Sequence, residues 1–282
     1  MGQSDKCCKC ETIEFPTPRS HMSAMLIDSH CHLNYPGLVE DEDGVVTRAR
    51  AAGVTAMISI STRESEWDAV IAGAERHAEV FATVGIHPHE ADQHADIDTA
   101  RLVSAAVHPR VVGIGETGLD YFYDKSDRER QRISFRAHIA ASRTTGLPII
   151  VHTRDAEEDT IVILAEEAGK GAFPMVIHCF TGSQRLADAC LDLGAYISLS
   201  GIVTFKNAKA LQEVAKSIPA SRLLVETDSP FLAPVPMRGK LCEPAYVAYT
   251  AAFVAGLRNA NVEDIKETTA NNTLNLFTKI IR

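Results

Sequence analysis

The sequence lacks long apolar runs and carries no surplus of basic residues. Among its 282 residues, 28 are Lys or Arg and 37 are Asp or Glu, which gives a formal net charge of −9. The longest apolar stretch, Ala245 to Leu257, is shorter than the ~18 residues that a helix needs to cross a bilayer. We therefore expect a soluble protein that does not coat nucleic acid through its overall charge, although a local cationic site is compatible with this balance.

The chain also lacks a secretory signal and a regular cysteine framework. Its first residues, Met-Gly-Gln-Ser-Asp-Lys, lead into a polar stretch and not into an apolar one. The seven cysteines are an odd number, and four of them lie far apart, at Cys31, Cys179, Cys190 and Cys242. This pattern predicts a cytoplasmic protein with free thiols.

Residues 1–24 differ in composition from the rest of the chain. They show no hydrophobic periodicity, contain three crowded cysteines, and include the tripeptide Ser20-His21-Met22, which is typical of a cloning junction. We interpret them as an appended or vector-derived, disordered segment and place the start of the domain, residues 25–282, at Met25. The alternative is a metal-binding cysteine knuckle, but the segment lacks the second cysteine pair or histidine pair that zinc sites usually have.

Eight β-branched or apolar runs alternate with longer helical patterns from Met25 onward. The runs are Leu26–Ser29, Thr55–Ser61, Val80–His87, Val111–Glu116, Pro148–His152, Met175–Phe180, Ala195–Gly201 and Leu223–Asp228. Apolar strands alternating with helices indicate a parallel sheet covered on both faces, and eight such units predict an α/β fold with a single (β/α)8 TIM barrel. An open doubly wound sheet is the alternative, but it would need a glycine-rich loop where residues 28–32 read Asp-Ser-His-Cys-His.

Polar residues follow most of these runs, at the strand ends that meet on one face of a parallel barrel. They are His30 and His32 after the first run, His87 and His89 after the third, Glu116 after the fourth, His152 after the fifth, His178 after the sixth and Asp228 after the eighth. Four of these histidines, His30, His32, His152 and His178, together with the two carboxylates provide more donors than one tetrahedral ion can use. The count therefore predicts two divalent ions bridged by a carboxylate, an arrangement suited to phosphoester hydrolysis.

Other chemically active residues are interpreted more simply. Strand periodicity turns Cys31 and Cys179 away from the predicted metal side. Glu226 shares the face of Asp228 one layer deeper, either as an acid that supports a ligand or as a buried structural group that needs a partner. The remaining helix and loop histidines are expected to be solvated; they are His77, His94, His108 and His138.

The ordered motifs resemble a known family. The sequence has His-x-His after the first run, Gly-Glu-Thr-Gly-Leu-Asp-Tyr after the fourth, Val-His-Thr-Arg after the fifth, Ile-His-Cys-Phe-Thr-Gly after the sixth and Glu-Thr-Asp-Ser-Pro-Phe-Leu-Ala-Pro after the eighth. From Met25 nearly to the C-terminus, the chain is similar to the TatD family of metal-dependent deoxyribonucleases within the amidohydrolase-like barrels. The resemblance implies a metal-dependent phosphodiesterase that hydrolyses DNA, often as an exonuclease acting from a 3′ end.

The resemblance also implies roles for individual residues. His30 and His32 would hold the first metal with Asp228, Glu116 would bridge both metals, and His152 and His178 would hold the second. Asp228 would also orient or deprotonate the attacking water, and His87 would contact the scissile phosphate or protonate the leaving oxygen. The expected catalytic residues are thus Asp228, Glu116 and His87. The cofactors would be two divalent ions such as Mg, Mn or Zn, and DNA would be a transient partner with no obligate protein partner.

The predicted substrate contacts are His87, Arg154, Thr181 and Arg238. Near Arg238 the sequence departs from the family pattern, because Met237 replaces a histidine and Cys242 replaces an asparagine. We expect this change to affect substrate range and rate more than metal binding, and an exposed Cys242 would make activity sensitive to oxidation.

Two other functions stay open from the sequence. An amidohydrolase-type enzyme could use the same residues on a small amide, lactone or phosphoester. No lysine stands at a strand end to form the carbamylated bridge of such relatives, and the resemblance places Glu116 there instead. A scaffold that keeps the site as a relic is the third reading, and the complete ligand set argues against it.

Overall fold

The structure is a computed structural model that describes residues 25–280. The predicted appended segment, residues 1–24, lies outside the described residues, as does the cysteine-knuckle alternative for it. The choice of Met25 as the start of the domain therefore stays a prediction.

The eight predicted strands form one parallel sheet, and each strand pairs with its neighbours in the sequence. A parallel bridge between Cys31 and Ser229 joins the first strand to the loop after the last, which brings the sheet into a barrel. The predicted (β/α)8 barrel is thus confirmed. The strands are β1 (Leu26–Cys31), β2 (Val54–Ser59), β3 (Val80–Val84), β4 (Val111–Asp120), β5 (Ile149–Arg154), β6 (Met175–Ile177), β7 (Tyr196–Leu199) and β8 (Leu223–Val225).

Helices follow the strands and cover the outside of the barrel. None of those within residues 25–280 is both long enough and apolar enough to cross a membrane. The helices are α1 (Glu42–Ala51), α2 (Trp67–Arg76), α3 (Thr99–Ala105), α4 (Arg128–Thr145), α5 (Glu157–Ala168), α6 (Gln184–Asp192), α7 (Lys209–Ser217), α8 (Val247–Leu257) and α9 (Val262–Leu276).

Two apolar clusters lie on the two faces of the sheet. The larger one fills the space between the strands and the helices, and includes Ile149 and Val151 of β5. The smaller one includes Ile150 and residues from opposite sides of the barrel, so it is the barrel interior; Phe277, just after α9, packs into it. Because strand side chains alternate, His152 shares the inward face with Ile150 and reaches the carboxyl end of the barrel.

One buried histidine was misjudged from the sequence. His138 was expected to be solvated, but it is fully buried on α4. Its Nε2 accepts the Ile86 N–H at 2.9 Å, and its Nδ1 lies 2.7 Å from the Ser134 carbonyl. Burial lowers the pKa of His138 to about 4, so the ring is neutral and ties α4 to the loop that follows β3.

A glycine in β4 allows the close contact between β4 and β5 on which the site depends. Gly118 has φ of +139°, and a Cβ added to it would lie 2.0 Å from the carbonyl oxygen of His152. We expect Gly118→Ala to lower the free energy of unfolding by about 2–4 kcal/mol, because it combines a backbone clash with an unfavourable φ. Denaturant-induced unfolding measures the change.

Gly256→Ala is the matched control for this substitution. Gly256 is exposed on α8, and an added Cβ would meet nothing within 4 Å. Alanine there should be neutral or stabilise the protein by up to about 1 kcal/mol. Equal stability of the two variants would contradict the close approach at Gly118.

Candidate metal centre

The junction of β1 and β8 brings together three predicted ligands of the first metal. The Asp228 N–H donates to the His30 carbonyl at 2.9 Å, and the His32 N–H donates to the Ser229 carbonyl at 2.8 Å. These backbone bonds place the side chains side by side. The Nε2 atoms of His30 and His32 lie 3.2 Å apart, and each lies 3.5 Å from Asp228 Oδ1.

Glu116 lies between this cluster and the predicted ligands of the second metal. Its Oε2 is 3.5 Å from His30 Nε2, whereas its Oε1 is 2.7 Å from His178 Nε2 and 3.0 Å from His152 Nδ1. One carboxylate therefore presents one oxygen to each cluster. The six side chains come from β1, β4, β5 and the segments that follow β1, β6 and β8, as the convergence argument predicted.

Two of the histidines have a hydrogen-bond partner that orients the ring and leaves the other nitrogen facing the cluster, and a third ring faces a carboxylate. His32 Nδ1 lies 3.3 Å from the Ile60 carbonyl, and His152 Nε2 lies 3.2 Å from Asp120 Oδ2. His178 Nδ1 lies 3.3 Å from Glu226 Oε1. Metal-binding histidines usually donate their second N–H to a carbonyl or carboxylate in this way, which fixes the tautomer.

The donor set fits a pair of divalent cations. Two ligands bound to one ion at about 2.1 Å in tetrahedral directions stand about 3.4 Å apart, close to the 3.2–3.5 Å separations of His30, His32 and Asp228. His152 Nδ1 and His178 Nε2 also face each other at 3.3 Å. Imidazole nitrogens and carboxylate oxygens at these separations are the kinds of ligand that bind a divalent cation.

Both candidate carboxylate ligands are expected to be anionic at neutral pH. Burial alone would raise their pKa values, but the surrounding histidines outweigh it. His178 and His87 hold the pKa of Glu116 well below its ordinary value. A hydrogen bond from His32 lowers the pKa of Asp228 in the same way. The centre therefore offers two negative charges to bound cations.

His87 joins Glu116 and His152 in the second cluster, but its tautomer favours a different role. The His87 Nδ1 accepts the His89 N–H at 3.1 Å, so the proton of the neutral ring lies on Nε2, which is 3.4 Å from Glu116 Oε1. Burial lowers the pKa of His87 to about 4. The neutral ring therefore serves better as a hydrogen-bond donor beside the candidate ligands than as an imidazolium acid.

Asp120 is a site residue that the sequence analysis quoted but gave no role. Its Oδ2 lies 2.9 Å from His89 Nε2 and 3.2 Å from His152 Nε2. Its Oδ1 accepts the N–H groups of Phe122 and Tyr123 at 3.1 and 2.9 Å. Hydrogen bonds from the two histidines hold its pKa well below the ordinary value even though burial alone would raise it. The available signal was a carboxylate at the end of a strand, four residues after Glu116.

Two more buried carboxyl groups, which do not line the cavity, contact the candidate ligands or the segments that carry them. Glu226 accepts the Cys179 N–H at 2.7 Å and its Oε1 lies 3.3 Å from His178 Nδ1, so the buried carboxylate has partners and stands behind a candidate ligand. Asp28 accepts the N–H and hydroxyl of Thr227 at 2.9 and 2.6 Å, and burial raises its pKa to about 8. Asp28 thus ties β1 to the segment that carries Asp228.

The candidate metal centre opens into a cavity of about 800 Å³. Among the predicted substrate contacts, His87, Arg154 and Thr181 line it. Arg238 does not; it is exposed and its guanidinium lies 4.1 Å from the ring centre of Phe205. The structure therefore leaves the role of Arg238 as a prediction.

Two expectations about cysteines were wrong. Cys242 is fully buried and does not line the cavity, because its N–H donates to the Pro230 carbonyl at 3.1 Å and draws the residue inward. Cys179 does line the cavity, since its backbone, with φ of +41°, has left the regular strand geometry on which the periodicity argument relied. Its sulfur lies 3.2 Å from Ser200 Oγ. Cys31 is buried, with its thiol 3.4 Å from the Ile58 carbonyl.

Known proteins resemble the chain over nearly all of the described residues. The family described as TatD related DNase matches residues 27–278. The chain is 42% identical over 253 residues to the uncharacterized metal-dependent hydrolase YabD of Bacillus subtilis, covering 90% of this chain and 99% of that protein. It is 36% identical to the 3′-5′ ssDNA/RNA exonuclease TatD of Enterobacter lignolyticus, covering 89% and 98%. The crystal structure of YJJV, a TatD homologue from Escherichia coli, has a TM-score of 0.84 and 30% identity, covering 90% and 98%.

The contact between Asp120 and His152 makes a prediction for metal binding. Asp120→Asn removes the negative charge that orients the ring, so we expect metal affinity to fall about 10- to 100-fold. Calorimetric titration of the metal-stripped protein with Mn or Zn measures it. Asp124→Asn is the matched control, because this neighbouring carboxylate is exposed and contacts Arg128. Equal affinities of the two variants would show that Asp120 does not support a ligand.

Proposed function

Because the chain belongs to the TatD related DNase family of metal-dependent hydrolases, we propose that it hydrolyses the phosphodiester bonds of DNA and trims the strand from its 3′ end. The observation that carries the proposal is the position of Glu116, with one oxygen toward each of two histidine clusters on the floor of an open cavity. His30, His32 and Asp228 would hold one divalent ion, His152 and His178 the other, and Glu116 both. When bound, such a pair lowers the pKa of a water and stabilises charge on the attacking and leaving oxygens.

The protein's own groups have distinct roles in this proposal. Asp228 orients the attacking water and accepts its proton, since its carboxylate borders the cavity and the hydrogen bond from His32 lowers its pKa. His87 donates its Nε2–H to a phosphate oxygen, which its neutral state supports better than protonation of the leaving oxygen. Arg154 and Thr181 contact the phosphate backbone from the cavity wall.

A nucleic-acid substrate is supported by the charges at the cavity and by one relative. Lys125, Arg154 and the ion-paired Arg63 line the cavity together with Glu90, Glu116 and Asp228, so the cavity lining does not share the strongly negative balance, −9, of the whole chain. The Enterobacter lignolyticus relative carries the name of an exonuclease for single-stranded DNA and RNA. The cytoplasmic location and the lack of an obligate protein partner stay predictions.

Metal-dependent cleavage of DNA is the direct test. End-labelled single-stranded DNA is incubated with the metal-stripped protein, with and without added Mg, Mn or Zn, and the products are separated by length. We expect metal-restored cleavage that shortens the strand stepwise from the 3′ end, and no cleavage by Asp228→Asn. Cleavage of a small ester, amide or lactone in place of DNA would overturn the proposal in favour of a small-substrate hydrolase.

The bridging position of Glu116 predicts an order of effects on activity. His87→Ala removes one donor to the phosphate and should lower kcat about 10²-fold. Glu116→Ala removes a ligand from both clusters, so its kcat should be lower still, by at least about tenfold. Steady-state rates on one oligonucleotide give the comparison. Wild-type activity in Glu116→Ala would rule out a bridging role.

A further inference from the structure

We infer that the turn after β4 is a stacking platform for unpaired bases of the nucleic-acid substrate, an inference that rests on the proposed function. The platform consists of Phe122, Tyr123 and Arg154. Tyr123 and Arg154 line the cavity beside the candidate metal centre, and Phe122 extends the platform outward.

Two aromatic side chains of the platform are open to solvent. Phe122 is 54% exposed and Tyr123 is 51% exposed. Their ring centres are 4.9 Å apart with the planes nearly perpendicular. Exposed aromatic rings can mark a binding site, and each of these rings offers a surface on which a nucleobase can stack.

Arg154 packs against both rings and orders them. Its guanidinium carbon lies 4.1 Å from the centre of the Phe122 ring and 4.7 Å from that of Tyr123. The rings are therefore held in place before a ligand arrives. Because they are already ordered, the protein loses less conformational entropy when a base stacks on them.

The platform is fixed to the candidate metal centre through one carboxylate. Asp120 Oδ1 accepts the N–H groups of Phe122 and Tyr123, while Oδ2 contacts His152. His89, which also contacts Asp120, packs edge-on against Tyr123 with ring centres 5.4 Å apart. The distance between a stacked base and the reacting phosphate is thus set by a short, rigid path.

The charges around the platform favour a polyanion. Arg63, on the cavity wall, is neutralised by Glu66 and Glu90. By contrast, Arg154 and Lys125 form no ion pair with any carboxylate of residues 25–280. Lys125 Nζ lies 5.5 Å from the Tyr123 ring centre. Two unpaired cations beside two open rings match a chain that alternates phosphates with bases.

This combination selects a single strand. In a duplex, the faces of the internal bases are already stacked and their edges are paired, so they cannot reach the rings without being unpaired. A strand with free bases can place its phosphate at the candidate metal centre and an adjoining base on Phe122 or Tyr123. The platform therefore discriminates by base stacking, with no requirement for a particular sequence.

Removing the rings should affect substrates only when bases are present. Phe122→Leu and Tyr123→Leu are compared with the wild type on two single-stranded substrates. One is a thymidine oligonucleotide, and the other is the same oligonucleotide with abasic sites at its three 3′-terminal positions. We expect KM to rise about 5- to 100-fold for the thymidine strand, with kcat retained, and less than about twofold for the abasic strand. Tyr249→Leu, an exposed aromatic on α8 outside the cavity, is the control.

The same comparison is made by binding, without turnover. Fluorescence anisotropy gives the Kd of each labelled strand for Asp228→Asn, with and without the platform substitutions. In this background Lys125→Gln should reduce the slope of log Kd against log salt by about 0.7, the value for one phosphate contact on a single strand.

The outcomes separate the inference from the proposed function. Equal losses on thymidine and abasic strands, or no loss on either, overturn the platform while cleavage by the wild type upholds the function. If the wild type cleaves neither strand with any metal, the proposed function fails. In that case, tighter binding of the thymidine strand than of the abasic strand, lost on substitution of Phe122 or Tyr123, would still support the platform. Equal binding of the two strands, or binding that does not change with these substitutions, would overturn the platform too.

Discussion

The burial of Glu116 between two groups of histidines is the constraint on which the site depends. A carboxylate with almost no solvent contact is stable only where positive charge or hydrogen-bond donors surround it. Here the donors come from β1, β5 and the segment after β6, so the barrel must close before Glu116 is satisfied. The same requirement makes the centre attractive to cations, because the Nε2 atoms of His30 and His32 face each other and the oxygens of Glu116 and Asp228.

The carboxylates around Glu116 form a supporting layer that gives each ring a single orientation. Asp120 orients His152, and Glu226 faces His178. Asp28 acts at the backbone level, since it joins β1 to the segment carrying Asp228. These groups do not face the cavity as Glu116 and Asp228 do, yet they limit how far the candidate ligands can move. Preorganisation of this kind lowers the cost of binding both a cation and a substrate.

The sequence predicted the barrel and the convergence of the six candidate ligands because both follow from local patterns. Strand periods of two and the common direction of parallel strands are enough to bring His30, Glu116 and Asp228 to one face. The errors arose where the backbone leaves those patterns or where partners are distant in sequence. Cys179 turns toward the cavity through a positive φ, and His138 is buried by its contact with Ile86, 52 residues away. Neither the positive φ of Cys179 nor the distant partner of His138 can be recognised from the residues next to it in the sequence.

The distribution of charge connects the centre to its surroundings. Most arginines on the outside of the barrel are paired with carboxylates, as in Arg48 with Asp41 and Arg136 with Glu166. Their charges are locally cancelled, so they contribute little to an attractive field. Arg154 is different, because its contacts are the faces of two aromatic rings, which leave its charge uncompensated. An acidic protein can therefore attract a polyanion to one place, since the field at the cavity is set by its few unpaired cations and by the ions that Glu116 and the histidines would hold.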